Sequence, residues 1–171
     1  MNFVVLALSV CTGCLTAAFS HTLEFRIGAV AGWSATTFLA DFWTIASWNL
    51  RVMGTIVLSV CTLGVFSLVE LVWLGFSFGM DAFSIWQHGH GVLSYFLTYA
   101  PIEVSAFAIS ASAAQSFSLS TLRFFFLKER LCVRPALLSL GAAVFLLLAA
   151  ALMEAHAHQI IKGGMLQTGE W

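Results

Sequence analysis

The chain has 171 residues, of which 60% are hydrophobic and only 9% charged, with a formal net charge of −1. A soluble domain carries about a quarter charged residues, so this balance, with a mean hydropathy of +0.95, excludes a water-soluble globule and points to a polytopic membrane protein. It also excludes electrostatic capture of nucleic acid, which needs Lys and Arg clustered along a phosphate backbone.

A helix crosses the hydrocarbon core in about 20 apolar residues, so the length supports four or five crossings in a single membrane domain over residues 1–171. The first span is expected near 3–19. No Lys or Arg precedes it and no small-x-small cleavage site follows, which favours a retained helix over a secretory signal. Cys11 and Cys14 have redox-motif spacing, yet they lie in an apolar run without a strand-to-helix context, so packing is the default for them, and all four cysteines, with Cys61 and Cys132, are expected to be free thiols.

Residues 21–49 mix Glu24, Arg26 and Asp41 with Trp33, Phe38, Phe42, Trp43 and Trp48, a composition that predicts an interfacial segment at headgroup level. The run 52–80 is broken only by Glu70 and suits one tilted span, or one span and the start of another. Residues 81–91 read as a polar connection, followed by a span over 92–119 and a last one over 136–155. Between these two, residues 120–135 hold Arg123, Lys128, Arg130 and Arg134 against Glu129 alone, four of the chain's seven Lys and Arg. The positive-inside rule makes this the cytoplasmic loop. By parity, the His88/His90 connection and the C-terminal tail face the other side.

The stretch Leu97-Thr98-Tyr99-Ala100-Pro101-Ile102-Glu103 breaks the pattern of the third run. Pro101 removes a backbone hydrogen bond and clashes one turn back, so the central helix is expected to kink or break near Leu97. A carboxylate at membrane depth is costly unless protonated, paired or wetted, and both features therefore predict a buried, polar place. Glu103, Ala106, Ser110, Ala113 and Ala114 share a helical face of small and polar groups, which lets helices approach closely. Glu154 and Glu70 are expected to face protein as well, and Gly75 and Gly79 form a GxxxG close-packing pattern. Two readings of the carboxylates stand: hydrogen-bonded struts that hold helices in register, or a proton or ion path.

In chain order, the run Trp48-Asn49-Leu50-Arg51-Val52, the glycines at Leu63-Gly64 and Leu74-Gly75 through Gly79, the stretch Leu97 to Ala106, and Leu148 to Ala155 ending in Met153-Glu154-Ala155 resemble the stage II sporulation protein M family of integral membrane proteins. Leu97 to Ala106 matches the pattern Leu-Pro-His-Gly-x-x-Glu-x-x-Ala, with Thr98-Tyr99-Ala100 standing where the family has Pro-His-Gly and the proline moved to Pro101. The resemblance carries Asn49, Glu103 and Glu154 over as family positions. It implies one of two roles: a membrane scaffold that gathers cell-wall hydrolases, or a subunit that accompanies an ABC exporter and its ATPase, in either case in a bacterial cytoplasmic (inner) membrane.

Nothing in the chain has nucleophile-and-base spacing or a phosphate-cradling glycine loop, so a non-enzymatic protein is expected, with no cofactor. The exception weighed is zinc or copper held by His88, His90, His156 and His158 on one side of the membrane, although histidines two apart on a helix point apart. The expectation is an all-α bundle of four or five spans with a Pro-kinked central helix. It serves as a scaffold or partner subunit among membrane lipids, as a homo-oligomer or with other membrane proteins; the competing reading is a transporter or permease-like subunit that uses Glu103 and Glu154 in a substrate or proton path.

Overall fold

The computed structural model describes the backbone of residues 2–20, 35–88 and 90–168. They form five α-helices: α1 (Asn2–Ser20), α2 (Ala35–Leu58), α3 (Val65–His88), α4 (His90–Leu127) and α5 (Arg134–Thr168). Among the described residues there is no strand. Four stretches, Thr36–Thr62, Val65–Trp86, Leu93–Leu127 and Arg134–Ile160, are long and apolar enough to cross a membrane. The protein is the all-α polytopic bundle that its composition predicts.

Three expected boundaries differ from the structure. Residues 35–49, read as the latter part of an interfacial segment 21–49, are instead the first half of α2, while 21–34 lie outside the described residues. The run 52–80 is divided, because α2 ends at Leu58 and passes through a 3-10 turn, Ser59–Thr62, before α3 starts at Val65. Leu63 and Gly64 both take positive φ, 54° and 80°, and their amides return to the carbonyls of Val60 and Ser59 at 3.2 and 2.9 Å. This is how the chain reverses direction with its helix-end carbonyls satisfied. A Cβ at Gly64 would sit 2.8 Å from Gln115 Cγ, so both the backbone angle and the close approach of α4 require glycine here. Residues 81–88, expected as a connection, continue α3.

Helix α4 packs against α1, α2, α3 and α5, and α1 lies along α3. Ile56 from α2, Leu71 from α3, Phe107 from α4 and Leu147 from α5 meet at the centre, each no more than 1% exposed. Around them the small residues Ala106, Ala111, Ala143, Ala150 and Ala151 are fully buried. Large apolar side chains such as Trp73, Leu97, Leu138 and Phe145 point outward. Lipid tails are as apolar as leucine, so nothing drives these side chains inward, and small-residue packing and interhelical hydrogen bonds hold the bundle.

Helix α4 runs without a break through Pro101, and the proline is exposed while Glu103 is buried. Two residues apart on a helix means about 200° around its axis. The proline and the carboxylate therefore face opposite ways, and the single polar place expected for both holds only Glu103.

At its far end α4 overshoots its neighbour. Its 38 residues extend about 57 Å at 1.5 Å per residue, against a hydrocarbon core of about 30 Å. The chain then doubles back: Lys128 adopts a left-handed φ of 57°, and the Cys132 amide donates to Ser120 Oγ at 3.1 Å. Residues 121–131 form a projecting tip on which Phe124, Phe125, Phe126, Leu127 and Leu131 are all exposed.

Candidate functional site

Three carboxyl groups from three helices gather around Tyr99. Glu103 of α4 and Glu154 of α5 lie within electrostatic reach of each other and of Asp81 on α3, and the Tyr99 hydroxyl feels all three. The helices bring them together through their antiparallel order. Asp81 lies 16 residues beyond Val65 and Glu154 lies 20 residues beyond Arg134, or roughly 24 and 30 Å along their helices. Glu103 precedes Ser120, where the fold-back loop rejoins α4, by 17 residues, or roughly 26 Å. All three thus occupy one level, well away from the basic loop.

The site has a floor and an opening. Glu103 is 7% exposed, and Tyr99 is 9% exposed in a cluster with Phe96 and Ala150. Asp81 is exposed, so the group reaches the molecular surface on the α3 side. On the other side the Asn49 amide of α2 neighbours the Glu103 carboxyl. Asn49 is 4% exposed, and its Nδ2 closes no hydrogen bond, an uncommon condition for a buried donor. Beyond Asn49 and Glu103, toward the basic loop, the side chains of Ile56, Leu71, Phe107 and Leu147 close the bundle.

Further polar contacts flank the carboxylates. His158 Nε2 lies 3.9 Å from Glu154 Oε1, one helical turn on. Gln159, buried at 5% exposure, donates from Nε2 to Asp41 Oδ2 at 2.9 Å and so links α5 to α2. Near the opposite end of the bundle, Gln115 Nε2 donates to the buried Ser67 Oγ at 3.2 Å. Ser110 Oγ returns its hydrogen to the Ala106 carbonyl at 2.9 Å, within its own helix.

The structure brings Asn49, Glu103 and Glu154 together, with Ser110 two turns below Glu103 on the buried face. Pro101 faces away. Glu70 is half-buried and lies three turns from Asp81 on α3, outside the group. Gly75 and Gly79 are buried, and Gly79 meets α1: a Cβ on it would collide with the Val10 carbonyl oxygen, and one on Gly13 would collide with the Phe76 carbonyl oxygen. Cys14 Sγ donates to the Gly79 carbonyl at 3.1 Å across this contact, and all four cysteines are free thiols. Of the histidines weighed as metal ligands, His156 is exposed and His158 half-buried, while the side chains of His88 and His90 lie outside the described residues. Among the described residues no three His, Cys, Asp or Glu side chains are grouped so as to hold a metal ion.

Asp81, Tyr99 and the Asp41–Gln159 pair join the site without a distinct signal in the sequence. Asp81 stands where an apolar run gives way to polar residues and looks like the start of a loop. Asp41 and Gln159 are 118 positions apart, and only the α2–α5 contact reveals them as partners.

A helical bundle with lipid-facing leucines and a buried carboxylate group defines a multi-pass integral membrane protein. The chain belongs to the stage II sporulation protein M family, whose model matches residues 2–157, most of its length. This is not a known enzyme family. No curated protein and no solved structure matches the chain.

Proposed function

We propose that this protein is a non-enzymatic partner subunit of a membrane complex, in a bacterial cytoplasmic membrane, and that it docks other membrane proteins through the projecting tip of α4. The observation that carries this reading is the row Phe124, Phe125, Phe126 and Leu127, between 45% and 80% exposed beyond the point where the chain folds back. Exposed aromatic and apolar side chains rimmed by charge mark interaction sites, and Arg123, Lys128, Glu129 and Arg130 supply that rim, all of them exposed. The small residues on the Glu103 face, Ala106, Ser110, Ala113 and Ala114, are buried inside the bundle, whereas the tip is open for assembly. Cell-wall hydrolases or an ABC ATPase are the partner classes that family membership suggests.

The test is a photo-crosslinking amino acid placed at position 125, with position 97 on the lipid-facing side of α4 as reference. Discrete protein adducts at 125 and none at 97 support docking at the tip. Lipid adducts alone at both positions overturn it.

A second reading rests on the carboxylate group. Glu103 and Glu154, with Asp81, then form a proton or cation station of a transporter subunit, since ionisable side chains inside membranes commonly mark such paths. Flux in proteoliposomes that disappears in Glu103→Gln favours this reading; absence of flux in the unaltered protein removes it.

A further inference from the structure

A second cleft lies at the opposite end of the bundle from the carboxylates. It opens between the end of α2, the middle of α4 and the start of α5, with a volume of about 280 Å³. Ala113 and Ala136, 3% and 6% exposed, form its floor, while Leu58 and Leu137, 69% and 63% exposed, stand at its rim, and Cys61 and Phe117 complete the walls. The lining is apolar. The smallness of the floor residues leaves a groove that the protein's own side chains do not fill.

What occupies it is constrained by size and by charge. A helix with its side chains is about 10–12 Å across, too broad for its body to lie on the floor of a groove of about 280 Å³. A single acyl chain is slim enough to lie along the floor. The groove also ends at the most basic part of the molecule. Arg134 begins α5 one turn before Leu137 and is exposed, and Arg130 lies in the loop that leads into it. Ser120 holds that loop back against α4 through the Cys132 amide, which brings the loop level with the groove mouth. Residues 120–135 carry four basic side chains against one acidic, a local net charge of +3. Basic pockets between membrane helices on this side suit anionic headgroups.

We propose that the groove between α2, α4 and α5 is a binding site for one anionic phospholipid, with an acyl chain against Ala113, Phe117 and Ala136 and its phosphate held by Arg130 and Arg134. The lipid completes the bundle where α2 and α5 part. It does not rest on the partner docking assigned to the tip, which uses Phe124 to Leu127 and shares only Arg130 with this site.

The experiment uses the full chain, delipidated in mild detergent and titrated with phosphatidylglycerol or phosphatidylcholine of identical acyl chains, with bound lipid counted by native mass spectrometry. One phosphatidylglycerol is expected to bind about thirtyfold more tightly than phosphatidylcholine, the factor two juxtamembrane cations supply. Arg130→Gln with Arg134→Gln, both on exposed side chains, should reduce that preference to near parity without unfolding the protein. Cys61→Trp and Leu137→Trp, which fill the groove from its wall and rim, should lower occupancy by both lipids while the helical circular dichroism is retained. Equal binding of the two lipids by the parent overturns the proposal. So does a preference that survives the double arginine substitution, or full occupancy in both tryptophan variants. A delipidated parent that is dimeric and becomes monomeric in Leu137→Trp also overturns it, by assigning the groove to a second copy.

Discussion

Gln159 on α5 donates its side-chain amide to the Asp41 carboxylate on α2 at 2.9 Å, spanning 118 positions of sequence. The contact lies between the two helices that line opposite sides of the groove at the basic end, so it acts as a clasp at the other end. Interhelical hydrogen bonds in membranes contribute on average about 0.6 kcal/mol and at most about 1.7. The carboxyl acceptor and the burial of Gln159 put this one toward the upper value. Gln159→Leu is therefore expected to lower unfolding stability by about 1–1.5 kcal/mol, measured by denaturant titration in detergent, and Gln159→Glu by more, because two carboxyls would then face each other.

The contact between α1 and α3 depends on two glycines. Gly79→Ala places a methyl group against the Val10 carbonyl, and the nearby atoms belong to the backbone of α1, which cannot rotate aside. Overpacking of this kind costs about 1–3 kcal/mol. Gly141→Ala is the matched control, since nothing lies within 4 Å of its would-be Cβ. It should be neutral or stabilising by up to about 1 kcal/mol through helix propensity. Thermal denaturation of the two variants side by side decides the point; equal midpoints would contradict close packing of α1 on α3.

Gly64→Ala meets both obstacles described for the α2–α3 turn, the positive φ and Gln115. A non-glycine residue in the left-handed region costs roughly 1–2 kcal/mol, and displacement of Gln115 disturbs its hydrogen bond to Ser67. Gly64→Ala with Gln115→Ala should recover part of the loss, because the shorter side chain makes room. A double-mutant cycle reads this directly, and strict additivity would show that the backbone angle alone matters.

Among the carboxylates, position on the bundle predicts the outcome better than residue type. Glu103→Leu replaces the polar neighbour of Asn49, whose Nδ2 closes no hydrogen bond, with hydrocarbon, and is expected to be less stable than the parent. Glu103→Gln keeps a polar group of nearly the same shape beside Asn49, so it should be more stable than Glu103→Leu. Glu70→Gln, outside the group, should change stability by less than about 0.5 kcal/mol. Unfolding midpoints in one detergent rank the three variants, and a Glu103→Gln less stable than Glu103→Leu would contradict the arrangement.

Much of this architecture is legible in the residues alone, because the bilayer imposes strong rules. Apolar run length sets the helices, and Ala and Ser at helical spacing around Glu103 mark the close-packed face of α4. Other features escape such reading for physical reasons. The aromatic and charged residues of 35–49 look interfacial because the burial of Asn49 depends on α4 and the pairing of Asp41 depends on α5, neither of which local composition contains. The division of 52–80 turns on one glycine among several. Pro101 and Glu103 are neighbours in sequence, and only helical geometry sends them to opposite faces.

The aliphatic and aromatic plug at Ile56, Leu71, Phe107 and Leu147 has a consequence for the cell that carries this protein. Between Glu103 and the basic end of the bundle these four side chains pack without a polar group among them, so a proton or ion at Glu103 would meet hydrocarbon on that side. A bundle can thus harbour a buried acid, Glu103, without becoming a leak.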